Sequence, residues 1–253
     1  MIKAFIKTPA FITTNIWRKR EKLKYSLLPL ALYDKLTFEK IDERKIHIRK
    51  ESGFKIPTND ANPVYRAAIL LQNRKPNKLG AIIRIRKNIP SFSGLSSQAG
   101  NAAGALIALN RLWNFNLNEK ELMKIAKKIS PEIAEILKTY FKPNPDRKNI
   151  VLIRPRYIKT NSDWMENKVK SGNLKQKTTY EAIAFRHFPD LKEMAGILKK
   201  AGYKKCGMSG KGPVIFGLSD KTPDVRNIKK TLTKKSDFFW FGKTCNKWGK
   251  LLM

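Results

Sequence analysis

The sequence predicts layered sandwiches of strands and helices, of the α/β or α+β kind. Apolar residues alternate with period two in several short runs and recur at helical spacing in others, and the two kinds of run interleave in both halves of the chain. No repeat of fixed period is present, which disfavours a solenoid. A chain of 253 residues with 42% hydrophobic residues can bury one large or two small cores.

The N-terminal third reads as β-rich. IKAFIKTPAFITTNIW (residues 2–17) collects β-branched and aromatic residues around a Pro. KLTFEKI (35–41) and KIHIRKE (45–51) alternate, and GAIIRIRKNIP (80–90) is a strand running into a Pro-marked turn. Between them NPVYRAAILLQ (62–72) has helical spacing, with Asn62 placed to cap and Pro63 at the first helical position. Beyond Pro90 a short polar loop leads into a helix over 97–112 whose Ala102, Leu106 and Leu109 share a face. NEKELMKIAKKI (118–129) is a second helix, with Asn118 and Glu121 in the spacing of a capping box.

NIVLIRP (149–155) is a short buried strand, and the polar stretch 159–179 reads partly as loop. Pro, Asn and charge concentrate in KPNPDRKN (142–149), so a boundary is expected there, giving domains 1–145 and 146–253. The remainder reads as helix (180–188), helix (190–202), a Gly-rich turn (207–212) and a strand (213–219), with FFWF (238–241) as the last strand.

The formal charge of +33 attracts polyanions in general, RNA, nucleotides and anionic lipid included. Yet Lys is spread along the chain in short runs such as RKREKLK (18–24), as an A/T-rich genome would encode, so charge alone assigns no function and a nucleic-acid partner is not favoured. The longest clean apolar run is AAGALIAL (102–109), so neither a spanning helix nor a signal-peptide core is expected, and the expected compartment is the cytosol. Cys206 and Cys245 show no C-x-x-C spacing and are expected to be free thiols rather than a disulfide or zinc ligands.

The stretch that carries chemistry is KNIPSFSGLSSQAGNAAGALIALNRLW (87–113). It places Gly94, Gly100 and the hydroxyls of Ser91, Ser93, Ser96 and Ser97 between a strand and a helix, where unpaired amides attract an anion. A tight turn opening an ordinary core helix has the same composition, so both readings stand. MSGKGP (208–213), with Lys211, is a second Gly-Ser turn, and two such turns argue more strongly for phosphate than either alone.

In these segments the chain resembles the GHMP kinases. Their phosphate motif has the form Lys-x-Ile-Pro-x-x-Ala-Gly-Leu-Gly-Gly-Gly-Ser-Ser-Asp/Asn-Ala-Ala, followed by a helix ending Leu-Asn-x-Leu-Trp. Lys87, Ile89, Pro90, Gly94, Leu95, Asn101, Ala102, Ala103, Leu109, Asn110, Leu112 and Trp113 match it without a gap. TPAFIT, LYDKLTF, NPVYRAA, VLIRPRYIKT and GMSGKGPVIFGL resemble further segments of the family in the same order, so the similarity covers roughly residues 1–220.

The resemblance implies an α+β fold in two domains, the first like ribosomal protein S5 domain 2 and the second ferredoxin-like. It implies ATP and Mg2+ as cofactors, and transfer of the γ-phosphoryl to a hydroxyl of a small molecule. The branch it resembles most acts on a cytidyl-diphosphate sugar alcohol. Carried over residue by residue, it puts Pro90, Ser93, Gly94, Leu95, Ser96, Ser97, Gln98, Ala99, Gly100 and Asn101 around the nucleotide, together with Ser209, Gly210, Lys211 and Gly212. It makes Glu132 the base and puts Thr13, Tyr25 and Thr160 on the substrate side.

The departures from the family are chemical. Ser96-Ser97-Gln98-Ala99-Gly100 replaces Gly-Gly-Gly-Ser-Ser, so three free backbones gain side chains and both motif hydroxyls leave register. The N-terminal Lys of the family aligns with Phe11, so a cation there has to come from a neighbour such as Lys7 or Arg18, and the catalytic Asp aligns with Glu132. Glu132 also has a plainer reading, as a solvated first-turn glutamate behind Pro131. Three functions follow: a working kinase, a nucleotide-binding module without phosphoryl transfer, or a basic RNA-associated protein on the same scaffold. His47 and His187 stand in no motif, and His187 reads as a helix-end residue.

Overall fold

The computed structural model describes residues 2–19, 22–75, 79–142, 147–158, 167, 180–246, 248–249 and 251–253, with the backbone alone over 15–19 and 22–25. The first sheet is built from β1 (Lys3–Lys19), β2 (Lys22–Ile41), β3 (Ile46–Gly53) and β4 (Gly80–Lys87), in the order β1-β2-β4-β3. β1 and β2 form a long antiparallel hairpin, and β3 runs parallel to β4 because the connection between them crosses through a helix. That helix is α1 (Pro63–Gln72), capped by the Asn62 side chain on the Val64 amide.

Three more helices follow: α2 (Ser97–Leu112), α3 (Glu119–Ile129) and α4 (Pro131–Phe141). With α1 they cover one face of the sheet, burying Ile6, Leu36, Phe38, Ile83 and Ile85 against Leu71, Leu106, Leu109 and Leu137. α2 is buried almost all round, consistent with its Ala-rich sequence, and the capping box at Asn118 and Glu121 forms as its spacing predicts.

The second sheet is antiparallel in the order β6-β7-β5-β8, with β5 (Asn149–Pro155), β6 (Lys205–Met208), β7 (Ile215–Ser219) and β8 (Ser236–Lys243). Its helices are α5 (Tyr180–His187), α6 (Pro189–Lys200) and α7 (Val225–Leu232). β5 reads as an unbroken apolar run because both its faces are covered. Val151 and Ile153 pack with Leu191, Leu198 and Ile228 of the helices, while Ile150 and Leu152 face a third core.

That third core joins the two sheets. Ala10, Ile12 and Leu30 of the β1–β2 hairpin meet Ile89, Leu95, Val214 and Phe216 there. The hairpin reaches it by a register shift at Pro9/Ala10, where a residue without an amide proton ends regular pairing and the strands bend.

Besides α4, β6 and α7, whose spans the sequence reading does not give, two features depart from it. β2 begins at Lys22 and not near residue 35: Pro29 disguises the strand, but it pairs with Phe11 beside the bulge and its carbonyl accepts from the Cys245 amide. Residues 244–246, 248–249 and 251–252 also return to the first sheet, where Leu252 and Phe5 exchange both backbone hydrogen bonds at 2.8 and 3.0 Å. Among the described residues no helix is long and apolar enough to cross a membrane.

Candidate active site

The floor of the site is a buried polar network. Lys87, the last residue of β4, is fully buried and donates from Nζ to Asp34 Oδ2 at 2.7 Å, to the Ile89 carbonyl at 2.7 Å and to Ser97 Oγ at 2.9 Å. Asp34 in turn accepts from the amides of Asn88 and Ile89 and from Asn101 Nδ2. Burial pushes the Lys87 ammonium below its ordinary value, and the Asp34 carboxylate pulls it back up. The network therefore clamps β2, β4 and the first turn of α2 together beneath the loop at 90–96.

The loop presents the N-terminus of α2. Its N-cap is Ser96, in the left-handed region at φ 51°, and its hydroxyl caps no amide of the helix. That hydroxyl donates instead to Glu132 Oε1 at 2.6 Å. Glu132 is half-buried in the first turn of α4, where the Ser130 side chain accepts from its amide at 3.1 Å. Ser130 caps α4 and Pro131 opens it, so the local sequence fixes where the glutamate emerges. Thr13 Oγ1 lies 3.5 Å from Ser96 Oγ on the facing strand β1.

The two Gly-Ser turns interlock. Gly94 has φ 76°, and a Cβ there would stand 2.1 Å from the Ser209 carbonyl oxygen and 2.8 Å from the Gly212 nitrogen, so only glycine permits the approach. Ser209 is fully buried, donates to the Gly94 carbonyl at 2.8 Å and accepts from the Thr13 amide at 3.1 Å. The Val214 amide reaches the Ser93 carbonyl, and the Gly210 amide reaches the Thr13 carbonyl. Three segments distant in sequence thus meet at Ser209. From below, the Glu181 carboxylate accepts from the Met208 amide at 2.7 Å and ties α5 to the same turn.

Phe11 closes the other side. It is fully buried, with its ring centroid 6.0 Å from that of Trp248, and a Cβ at Gly100 would stand 3.5 Å from Phe11 Cε2. Trp248 also packs edge-on against Tyr140 and donates to Thr139 Oγ1 at 3.0 Å. The site therefore has an apolar wall of Phe11 and Trp248 against the first turn of α2.

The residues expected at the site fall into distinct places. Ser96, Ser97, Thr13 and Glu132 converge at the start of α2. Gln98 and Ala99 follow them in its first turn, and Gly100 donates its amide to the Ser96 carbonyl. Leu95 is a core residue, Pro90 is buried with its carbonyl accepting from Ser93 Oγ, and Asn101 points into the Asp34 network. These three hold the loop from inside. Ser209 spends its hydroxyl proton on Gly94, and Gly210, Lys211 and Gly212 continue the turn, with Lys211 5.8 Å from the Tyr180 ring.

Lys7 is exposed and accepts through its carbonyl from Gly249. The side chains of Arg18 and Tyr25, and the whole of Thr160, lie outside the described residues. Sequence reasoning missed Asp34, Trp248 and Glu181. Asp34 was visible as a lone acid inside the apolar run LLPLALYDKL, but its partners come from far along the chain.

The comparisons with known proteins agree with this architecture. The family model described as GHMP kinases N terminal domain matches residues 62–137, and the one described as GHMP kinases C terminal matches 163–237, together well over half of the chain. A protein of Caldicellulosiruptor saccharolyticus named 4-diphosphocytidyl-2-C-methyl-D-erythritol kinase is 26% identical, over 94% of this chain and 98% of its own. The protein of that name from Listeria innocua is 29% identical, over 86% and 88%. Among solved structures, a 4-(cytidine 5'-diphospho)-2C-methyl-D-erythritol kinase superposes with a TM-score of 0.71 at 22% identity, covering 95% of this chain and 98% of that one. A homoserine kinase from Cytophaga hutchinsonii superposes with a TM-score of 0.76 at 15% identity, covering 99% and 97%, so the fold spans kinases named for different acceptors. On the two family models and the full-length relatives, this chain belongs to the GHMP kinases.

Proposed function

We propose that the protein is an ATP-dependent kinase that phosphorylates a hydroxyl of a small molecule, with 4-diphosphocytidyl-2-C-methyl-D-erythritol as its acceptor in isoprenoid biosynthesis. The observation that carries the reading is the 2.6 Å bond between Ser96 Oγ and Glu132 Oε1, which holds a carboxylate at the open end of α2. The amides at that helix end and the backbone of the turn at 209–212 line the place for the triphosphate. Glu132 accepts the proton of the attacking hydroxyl, and the rest of catalysis is positioning and charge stabilisation.

Mg2+ on ATP takes most of its ligands from phosphate and water, and the Ser97 hydroxyl oxygen at the start of α2 is the hard oxygen this chain would add, with the Glu132 carboxylate kept for the acceptor proton. When bound, the ion neutralises charge on the phosphates. The acceptor is chosen from the names of the relatives. Thr13 borders the acceptor side, and Tyr25 and Thr160 are assigned there from the family motif alone. We place the reaction in the cytosol, with the division of domains near residue 145.

A second reading, a nucleotide-binding module without transfer, draws on Phe11, which puts an apolar ring where the family carries a lysine. The deciding experiment measures ADP release from Mg-ATP with 4-diphosphocytidyl-2-C-methyl-D-erythritol, homoserine or mevalonate as acceptor, beside calorimetric Mg-ATP binding at two salt concentrations. Turnover with the first acceptor alone supports the proposal. Binding without turnover supports the module, and no binding at either salt overturns both. RNA affinity that falls steeply with salt and ignores ATP would favour the RNA-associated alternative.

A further inference from the structure

Among the described residues, Ser96 is used unlike the other polar helix caps. Asn62, Asn118, Ser130 and Asp224 each turn their side chains back onto a backbone amide of the helix they open, at α1, α3, α4 and α7. Ser96 opens α2 and does not: its backbone is left-handed and its hydroxyl bonds no amide of the helix. A serine cap bond that would stabilise the helix is left unmade, and a non-glycine residue is held in a strained region of backbone space. What the residue makes in return is one contact, the 2.6 Å bond to Glu132.

We propose that Ser96 is a positioning residue that pins the Glu132 carboxylate. A glutamate has three side-chain torsions, and its head group wanders unless something beyond its own backbone holds it. At Glu132 the two ends are fixed separately. Ser130 caps the amide end at 3.1 Å, and Ser96 holds Oε1 at the head. Thr13 Oγ1, 3.5 Å from Ser96 Oγ, is too distant to compete strongly for the serine proton. The hydroxyl engages one carboxylate oxygen, and Oε2 is the oxygen assigned to the acceptor hydroxyl. The anchor is itself rigid, since the next residue, Ser97, is bonded to the buried Lys87. The unused cap has a second effect: the first amides of α2 are not covered by their own N-cap side chain.

The inference rests on the kinase reading, and its test separates the two. Ser96→Ala, Glu132→Ala and the double variant form a cycle, read first by urea unfolding of the full chain and then by turnover with Mg-ATP and 4-diphosphocytidyl-2-C-methyl-D-erythritol. We expect the unfolding constants to couple by about fivefold or more, as contacting residues do. We expect Ser96→Ala to lower kcat by roughly ten- to a hundredfold with KM for the acceptor changed less than threefold, as misplacement of a catalytic group does. In the Glu132→Ala background the same change should cost less than twofold, because the serine acts through the glutamate. An equal loss in both backgrounds, or unfolding constants that multiply without coupling, would overturn the assignment. Coupling in unfolding with no turnover of 4-diphosphocytidyl-2-C-methyl-D-erythritol, homoserine or mevalonate by the unsubstituted protein sustains the tether and overturns the kinase reading.

Discussion

Lys87 Nζ stands 2.7 Å from Asp34 Oδ2 with neither side chain open to solvent, directly beneath the first turn of α2. Such a pair contributes little over an apolar substitute of the same shape, but losing one partner leaves the other charge buried alone. Lys87→Met should therefore lower unfolding stability by about 3–5 kcal/mol. The double variant Lys87→Met/Asp34→Asn should recover part of that loss. Urea denaturation of the three proteins checks both statements, and equal stabilities would refute them.

Gly94 sits where the two Gly-Ser turns touch. Gly94→Ala combines a positive φ with a Cβ 2.1 Å from the Ser209 carbonyl, so the turns have to part. The expected result is at least a tenfold loss of Mg-ATP affinity by calorimetry, with far-UV circular dichroism little changed. Ser209→Ala removes the hydroxyl that joins Gly94 to Thr13 and should cost about 1–3 kcal/mol of stability.

Restoring a lysine at position 11 should not restore anything. Phe11 is fully buried against Trp248 and the first turn of α2, so a lysine there would carry its charge out of water beside an apolar wall. Phe11→Lys is expected to destabilise by about 3–5 kcal/mol, at least as much as emptying the site, with no gain in turnover. A variant of unaltered melting temperature would contradict the apolar wall.

Cys206 provides a pH-dependent readout. Burial pushes its thiol from 9.0 up to about 11, with Lys199 opposing weakly. At pH 8 the native thiolate is then roughly a hundredfold scarcer than that of an ordinary cysteine, and labelling by a disulfide reagent should be slow until urea unfolds the chain. The unfolded thiol loses its proton first, so this group makes stability fall as pH rises from about 9 to about 11. Cys206→Ser should flatten that part of the pH profile of unfolding.

Local rules carried the sequence reading a long way. Asn62 with Pro63, Asn118 with Glu121, and the apolar run 149–155 each announce their element because cap chemistry and periodicity act within a few residues. What stayed hidden depends on distant partners. Pro29 looks like the end of a strand until Cys245 is brought to its carbonyl. The site divides in the same way. Glycines 94, 210 and 212 mark turns by themselves, but the bond between Ser96 and Glu132 joins residues 36 apart, and Ser209 joins Thr13 across 196. A sequence can offer such residues as candidates, and folding alone decides which of them meet.

The return of Trp248 and Leu252 to the first sheet sets an order of events during synthesis. Trp248 covers Phe11, and Leu252 pairs with Phe5, so β1 lacks these contacts while more than two hundred residues are still to be translated. Until the segment near 250 leaves the ribosome, the emerging chain exposes Phe11 and an unpaired strand edge. Those are the surfaces a chaperone binds or a neighbouring nascent chain captures. Maturation of the site is thus tied to completion of the distal segment and not to the earlier stretch that contains the loop at 90–96.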